Sequence, residues 1–125
     1  MPTMSAFELL AGRISDIRTD EGGANAPGVE KRTVFSPRRH WGDYVARHFS
    51  VKEGTAASFH SHPWPHYMFI LSGRCNATID GTVYPLEGGC WAFVPPDVDH
   101  SLENTGEDAF EFICIVPPEG DPDAR

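Results

Sequence analysis

Residues 54–73 read GTAASFHSHPWPHYMFILSG and hold three histidines close together, His60, His62 and His66. Residues two apart on a strand point to the same side, with Cα atoms about 6.5 Å apart, so a strand would direct His60 and His62 toward one point. The sequence PWP at 63–65 lacks two of the N–H groups that a sheet ladder needs. The chain must therefore turn there, and His66 opens a returning strand that can face the same point.

The sequence around this stretch predicts a mainly β protein. Apolar and polar residues alternate over 44–51, and turn residues recur about every 8 to 12 positions, a spacing typical of a small sandwich or barrel. The pair Asp80-Gly81 is a strong signal for a two-residue hairpin. Further strands are predicted at 66–71, 74–79, 82–86, 90–94, 100–104 and 110–116. A capping pattern predicts a short helix over 6–11, before the strands.

A second segment, residues 89–104 (GCWAFVPPDVDHSLEN), carries the distant histidine His100 after a turn. Three local imidazoles and one remote imidazole together describe a site for a divalent transition metal. Both segments resemble the motifs of the cupin superfamily. The first resembles G-x5-H-x-H-x3-E-x6-G, with His66 where glutamate is usual, and the second resembles G-x5-P-x-G-x2-H-x3-N, with Asp97 in place of the last glycine. The matching residues are Gly54, His60, His62, His66, Gly73, Gly89, Pro95, His100 and Asn104.

The resemblance implies a fold and a domain organisation. A small cupin with a four-histidine site is an all-β protein, a conserved β-barrel or jelly roll that is often dimeric. The resemblance covers about residues 30–118, which leaves 1–29 as an N-terminal arm and 119–125 as an acidic tail. It also implies one divalent ion per chain, with manganese or iron favoured, although all-nitrogen ligation by itself also permits zinc, nickel, copper or cobalt.

Four neutral ligands would leave the ion its full double charge, which favours an anionic ligand or substrate. Four ligands would also leave two coordination positions open on an octahedral ion. Strand alternation puts Asp99 and Glu103 on the face opposite His100, so no carboxylate is expected in the cavity. This favours metal-centred redox chemistry over chemistry that needs a carboxylate base. The residues expected to line the substrate pocket are Ser58, Trp64, Met68, Ile70, Leu102, Phe112 and Cys114.

Arg47 shares its strand face with apolar residues and is the candidate catalytic residue. An inward arginine could orient a substrate carboxylate or enolate, whereas an arginine that is ion-paired at the barrel rim would have no such role. Cys114 either lines the cavity or is a buried structural cysteine. Trp64 either forms a wall of the cavity mouth or contacts another subunit.

The outer face of the strand at 66–71 is also apolar, through Tyr67, Phe69 and Leu71, and Phe59 and Trp91 extend it. A strand that is apolar on both faces is covered on both faces. Since one small barrel can cover only the inner face, we expect a homodimer.

Net charge and cysteine content limit the class of partner. The net charge is −8, which argues against nucleic acid or an anionic membrane as the main partner. No apolar run approaches the length of a membrane span, and no signal peptide is visible. The three cysteines form no C-x-x-C pair, so a reduced, cytoplasmic protein is expected.

These features favour a metal-dependent dioxygenase-type oxidoreductase that acts on a small polar or anionic substrate, such as a diketone, enol or phenol. The first alternative is a non-redox cupin, a lyase, isomerase or decarboxylase that uses the metal as a Lewis acid. The second is a metal-loaded binding or sensing module without catalysis.

Overall fold

The computed structural model describes residues 10–20, 27–59 and 61–121. Within these residues the chain forms nine strands, all paired antiparallel in two sheets, and two short 3-10 turns at Ile14–Asp16 and Pro118–Gly120. The strands are β1 (Val29–Phe35), β2 (Val45–Val51), β3 (Ala56–Phe59), β4 (His66–Ser72), β5 (Arg74–Ile79), β6 (Thr82–Glu87), β7 (Trp91–Val94), β8 (His100–Asn104) and β9 (Phe110–Val116). The predicted all-β jelly-roll barrel is confirmed.

The core lies between the two sheets. One sheet has the strand order β1-β2-β9-β4-β7 and the other β3-β8-β5-β6. Burial alternates along β9, where Phe110, Phe112, Cys114 and Val116 are buried and the residues between them are partly exposed. The period of two matches the alternation of side chains across a strand. The inner faces of both sheets therefore form one continuous apolar interior.

The turns between strands depend on residues that tolerate the left-handed region. Asp80 and Gly81 have φ of 50° and 79° and join β5 to β6, which confirms the predicted hairpin. Gly73 has φ of 81°, and a Cβ there would lie 2.6 Å from the Cα of Phe110. Only glycine lets the β4–β5 turn pass this close to β9.

Strand boundaries show where the sequence pattern is informative. β5, β8 and β9 have the predicted bounds. The alternation did not predict β1, because one of its two buried positions is the charged Lys31 rather than an apolar residue. The helix predicted over 6–11 lies almost wholly outside the described residues, and Leu10 and Ala11 are not helical.

Residues 10–20 run beside β1 and are tied to it by polar contacts. Arg32 Nε donates to the carbonyl of Ile17 at 2.9 Å, and Thr33 Oγ1 donates to Asp20 Oδ2 at 2.6 Å. A groove of about 880 Å³ lies between this segment and the end of β1, and His62, His66 and His100 are not among its lining residues. No helix among the described residues has the length and apolar character needed to cross a membrane.

Candidate metal centre

Three histidine side chains from separate segments meet between the two sheets. His66 is the first residue of β4 in one sheet, His100 is the first residue of β8 in the other, and His62 lies in the loop between β3 and β4. One ring nitrogen from each lies within 4.8 Å of the other two. The ring centroids of His66 and His100 are 4.6 Å apart, and that of His62 lies 5.3 Å and 5.9 Å from them. His66 and His100 are buried.

Local sequence explains how the loop carries His62 to this point. β3 ends at Phe59, so the expectation that His62 lies on a strand is wrong. The prolines at 63 and 65 remove two ladder donors and force an irregular path. The loop is held instead by the backbone N–H of Asp97, which donates to the carbonyl of His62 at 2.6 Å. Asp97 lies three residues before His100, the first residue of β8, so this bond joins the segment of His62 to the segment of His100.

The fourth predicted ligand, His60, lies outside the described residues. The described cluster therefore contains three of the four predicted histidines, and a four-histidine site stays a prediction. His40 and His48 are the other histidines of the chain and do not join the cluster.

Burial favours the neutral form of two of the clustered imidazoles, His66 and His100. The pKa of His66 is lowered from 6.5 to about 3, first by burial and then by the charges of His100 and Arg47. Burial is also the main cause that lowers the pKa of His100. The Nδ1 of His100 lies 3.2 Å from the carbonyl oxygen of Val98, which favours the tautomer with the lone pair on Nε2. A neutral imidazole with a directed lone pair is the form that binds a metal.

This donor set fits a divalent transition metal. Metal–nitrogen bonds of about 2.1 Å place neighbouring donors on one ion about 3.0 to 3.4 Å apart, so nitrogens within 4.8 Å of one another need only a small inward shift. Imidazole is a ligand suited to iron, nickel, copper and zinc. His62, His66 and His100 are therefore the described residues that would hold the ion.

The interior next to the histidines is mostly apolar. Phe49 stacks on Phe112 at 4.9 Å between ring centroids. The predicted pocket residue Ser58 lies on β3 opposite Ser101. The other predicted strand residues of the pocket are all buried: Met68, Ile70, Leu102, Phe112 and Cys114.

Arg47 points into this interior and belongs to a group of buried charges. Its guanidinium Nη2 donates to Cys114 Sγ at 3.1 Å, and its Nη1 lies 3.5 Å from Asp121 Oδ2. The same Asp121 oxygen lies 2.8 Å from Nζ of Lys31, which also pairs with Asp20 at 2.9 Å. Arg47, Lys31 and Asp121 are 6%, 2% and 3% exposed. Arg47 is thus both inward-facing and ion-paired, which combines the two interpretations that the sequence left open.

Trp64 covers one side of the histidines. Its ring stacks on His62 with centroids 4.9 Å apart and planes 12° apart. The indole also meets Gly120, where a Cβ would lie 2.8 Å from Trp64 Nε1. The 3-10 turn at Pro118–Gly120 therefore contacts the site through Trp64.

Residues 47–116 match the family described as Cupin_2: Cupin domain. This chain belongs to the cupin family. The matched segment contains the three clustered histidines, Arg47 and the whole of β9.

Relatives of this cupin have varied descriptions. The sequence is 25% identical to "Polyketide synthase CurC" of Streptomyces cyaneus over 69 residues, which cover 54% of this chain and 45% of that protein. The matched residues span about half the length of two of its curated relatives. Two solved structures share the fold. The polyketide cyclase RemF of Streptomyces resistomycificus has a TM-score of 0.76 at 17% identity, with 87% of this chain and 79% of that chain covered. An RmlC-like cupin of Shewanella frigidimarina has a TM-score of 0.71 at 19% identity, with 92% and 96% covered.

The structure explains two residues of the second cupin motif. Asp97 stands where the motif has glycine and has φ of 63°, a region that aspartate tolerates better than most residues. Asn104 is structural: its Nδ2 donates to the carbonyls of Val51 and Asp108, and its Oδ1 accepts from the N–H of Gly106. The motif asparagine therefore joins β8 to β2 and to the following loop.

Sequence reasoning missed the carboxylate in this cupin's interior. Asp99 and Glu103 are exposed, as alternation predicts, but Asp121 is buried beside Arg47, so the expected absence of an interior carboxylate is wrong. Alternation describes only strand residues, and Asp121 reaches the interior from the turn after β9. Its partner Lys31 was also missed. No sequence signal marks this pair, because the two residues are far apart along the chain.

Proposed function

We propose that this cupin is a metal-dependent enzyme, a dioxygenase-type oxidoreductase that acts on a small organic anion such as the enolate of a diketone or a phenolate. The observation that carries the proposal is the convergence of three imidazoles beside a buried arginine in an apolar interior. Neutral ligands leave a divalent ion its full charge, and the arginine adds a second attraction for an anion.

The residues of the proposed site have three roles: to hold the metal, to bind the substrate and to exclude water. His62, His66 and His100 would hold the ion, with His60 as the proposed fourth ligand. The bound ion would supply Lewis acidity and, if it is redox-active, a path for electrons between substrate and oxygen. Arg47 would bind an anionic oxygen of the substrate and orient it.

The apolar walls add the third task, which is to exclude water. Met68, Ile70 and Phe112 are buried around the same interior. In a site with few waters, the attraction between Arg47 and an anionic oxygen is stronger than in bulk solvent. This arrangement suits a substrate with one anionic end and an apolar body.

Asp121 favours a second candidate, a non-redox reaction in which a carboxylate moves a proton. Its carboxylate is buried beside Arg47, so a general base is available that the sequence did not predict. The carboxylate of Asp121 is already ion-paired with Lys31 and Arg47, which is why the redox candidate stands first. The similarity to a protein described as a polyketide synthase makes compounds with several carbonyl groups the natural substrates to try first.

Oxygen uptake tests the proposal. The protein is loaded with Fe(II), Mn(II) or Zn(II) and given acetylacetone, catechol or benzoylacetone in an oxygen electrode. The proposal predicts substrate-dependent oxygen consumption with Fe(II) or Mn(II), and none with Zn(II). Substrate conversion without oxygen uptake would instead support the non-redox candidate. Ligand binding with no conversion under any metal would identify a binding or sensing module.

A further inference from the structure

Arg47 is buried but poorly hydrogen-bonded. Of its donors, Nη2 meets a thiol, which is a weak acceptor, and Nη1 makes a single long contact of 3.5 Å with Asp121. Its Nε is buried and has no hydrogen-bond partner among the described residues. A carboxylate that uses an arginine fully accepts two parallel hydrogen bonds at about 2.7 to 2.9 Å. Asp121 therefore satisfies only part of the hydrogen-bonding capacity of this guanidinium.

The charges around Asp121 permit another carboxylate to take its place. Among the described residues, Lys31 and Arg47 are buried cations, and the carboxylates of Asp20 and Asp121 pair with them. Lys31 contacts both carboxylates, at 2.9 Å and 2.8 Å. If Asp121 leaves, Lys31 keeps Asp20, and a carboxylate that arrives on Arg47 restores the charge balance. Replacement of one carboxylate by another thus strands no buried charge.

The turn that carries Asp121 can leave without breaking the sheet. The backbone N–H groups of Gly120 and Asp121 donate to the carbonyls of Pro117 and Pro118, which are inside or next to the turn itself. β9 has already ended at Val116. The ion pairs of Asp121 and the packing of Gly120 on Trp64 help to hold the turn on the barrel. Such a segment can open locally at a cost well below that of global unfolding.

We propose that Asp121 is an internal occupant of a carboxylate subsite on Arg47, and that an anionic ligand binds by displacing it. The turn at Pro118–Gly120 then acts as a gate that an anion opens. The inference rests on the proposed function, since it takes Arg47 as the group that binds the anionic end of the substrate. It adds a specificity rule: a neutral isostere lacks the charge to replace Asp121 and leaves the gate closed.

Acetate and its neutral isostere acetamide test this gate by calorimetric titration of the metal-loaded protein. Asp121→Asn removes the internal competitor and keeps its shape, so we expect acetate to bind at least about tenfold more tightly than to the wild type. Glu119→Gln is the matched control, because Glu119 is an exposed acid of the same turn. It should leave acetate affinity within a factor of about two, since exposed charges are well screened. Equal or weaker acetate binding by Asp121→Asn would overturn the inference.

Hydrogen exchange in the wild type gives a second measurement that needs no variant at Asp121. Acetate should speed exchange at the amides of Gly120 and Asp121, and acetamide should not. If acetate binds while these amides keep or gain protection, the gate is overturned. Gly120→Ala, which places a methyl group against Trp64, should also raise acetate affinity by pushing the turn away.

The same data separate the gate from the proposed function. If acetate binding depends on Arg47 but neither Asp121→Asn nor the exchange rates respond, the gate fails and the anion site stands. If neither the wild type nor Asp121→Asn binds acetate, the anion site and the gate fail together.

Discussion

The backbone N–H of Asp97 donates to the carbonyl of His62 across 2.6 Å and joins the two segments that carry the metal ligands. Asp97 makes this bond with φ of 63°, in the left-handed region. The bond explains how a loop interrupted by two prolines can hold a ligand in place. The geometry of the site depends on this one backbone contact as well as on the histidines themselves.

Substitutions at Asp97 test that dependence. Asp97→Gly keeps the N–H and relaxes the backbone, so metal content and melting temperature should match or exceed those of the wild type. Asp97→Pro removes the N–H and cannot adopt a positive φ, so metal content should fall. Metal analysis and thermal unfolding of both variants check this. Full metal content in Asp97→Pro would show that the bond to His62 is dispensable.

Arg47→Met tests the anion site. Methionine keeps much of the volume and removes the charge, so acetate affinity should fall by about 1 to 3 kcal/mol, or about 5- to 150-fold. Metal content should not change, because Arg47 is not a ligand. Arg38→Met, at an exposed arginine, is the matched control. Unchanged acetate affinity in Arg47→Met would remove Arg47 from the site.

The cysteines should differ in reactivity. Burial raises the pKa of Cys75 to about 11, and burial is also the main cause that raises the pKa of Cys114. Cys90 is only partly buried. Iodoacetamide at pH 8 should therefore label Cys90 first in the folded protein, and the others only on unfolding. Rapid labelling of Cys114, read by peptide mass spectrometry, would contradict its buried position.

Acid should destabilise the metal-free protein partly through His66. The pKa of His66 is about 3 in the folded protein, against an ordinary value of 6.5 that applies to the unfolded chain. Between pH 3 and pH 6.5 the unfolded chain therefore binds more protons than the folded protein. The stability that His66 contributes is therefore complete above about pH 6.5 and is lost as the pH falls toward 3. Urea unfolding at pH 7, 6 and 5 should show a shallower pH dependence in His66→Gln. His40→Asn, at an exposed histidine, is the control. Identical slopes in His66→Gln and the wild type would refute this assignment.

The outer face of β4 and β7 should bind a second copy of the chain. It exposes Tyr67, Phe69, Leu71, Trp91 and Phe93, with Trp91 71% exposed. Exposed patches of this kind mark interaction sites, and a stable dimer needs about 800 Å² per partner. Sedimentation at micromolar concentration should show a dimer, and the double variant Phe69→Gln, Trp91→Gln should be a monomer. Val83→Gln, at an exposed valine of the other sheet, should stay dimeric. A monomeric wild type would contradict the expectation.

The sequence predicts features that depend on local patterns better than features that depend on ion pairs between distant residues. The bounds of β5, β8 and β9 followed from alternation, because each has one face in the core. The meeting of His62, His66 and His100 followed from the motif spacing. β1 did not follow, because one of its two buried positions is the charged Lys31. Asp121 did not follow either, because its buried carboxylate pairs with Lys31, and no local pattern encodes a contact between distant charges.

The most direct test of the metal centre is the metal content of purified histidine variants, measured by inductively coupled plasma mass spectrometry. The wild type and His40→Asn should each carry one divalent ion per chain, and His62→Gln, His66→Gln and His100→Gln should lose most of it. His60→Gln shows whether a fourth imidazole takes part. Wild-type metal content in His66→Gln would contradict the assignment of His66 as a ligand, and full content in all three cluster variants would contradict a metal centre at this place in the barrel.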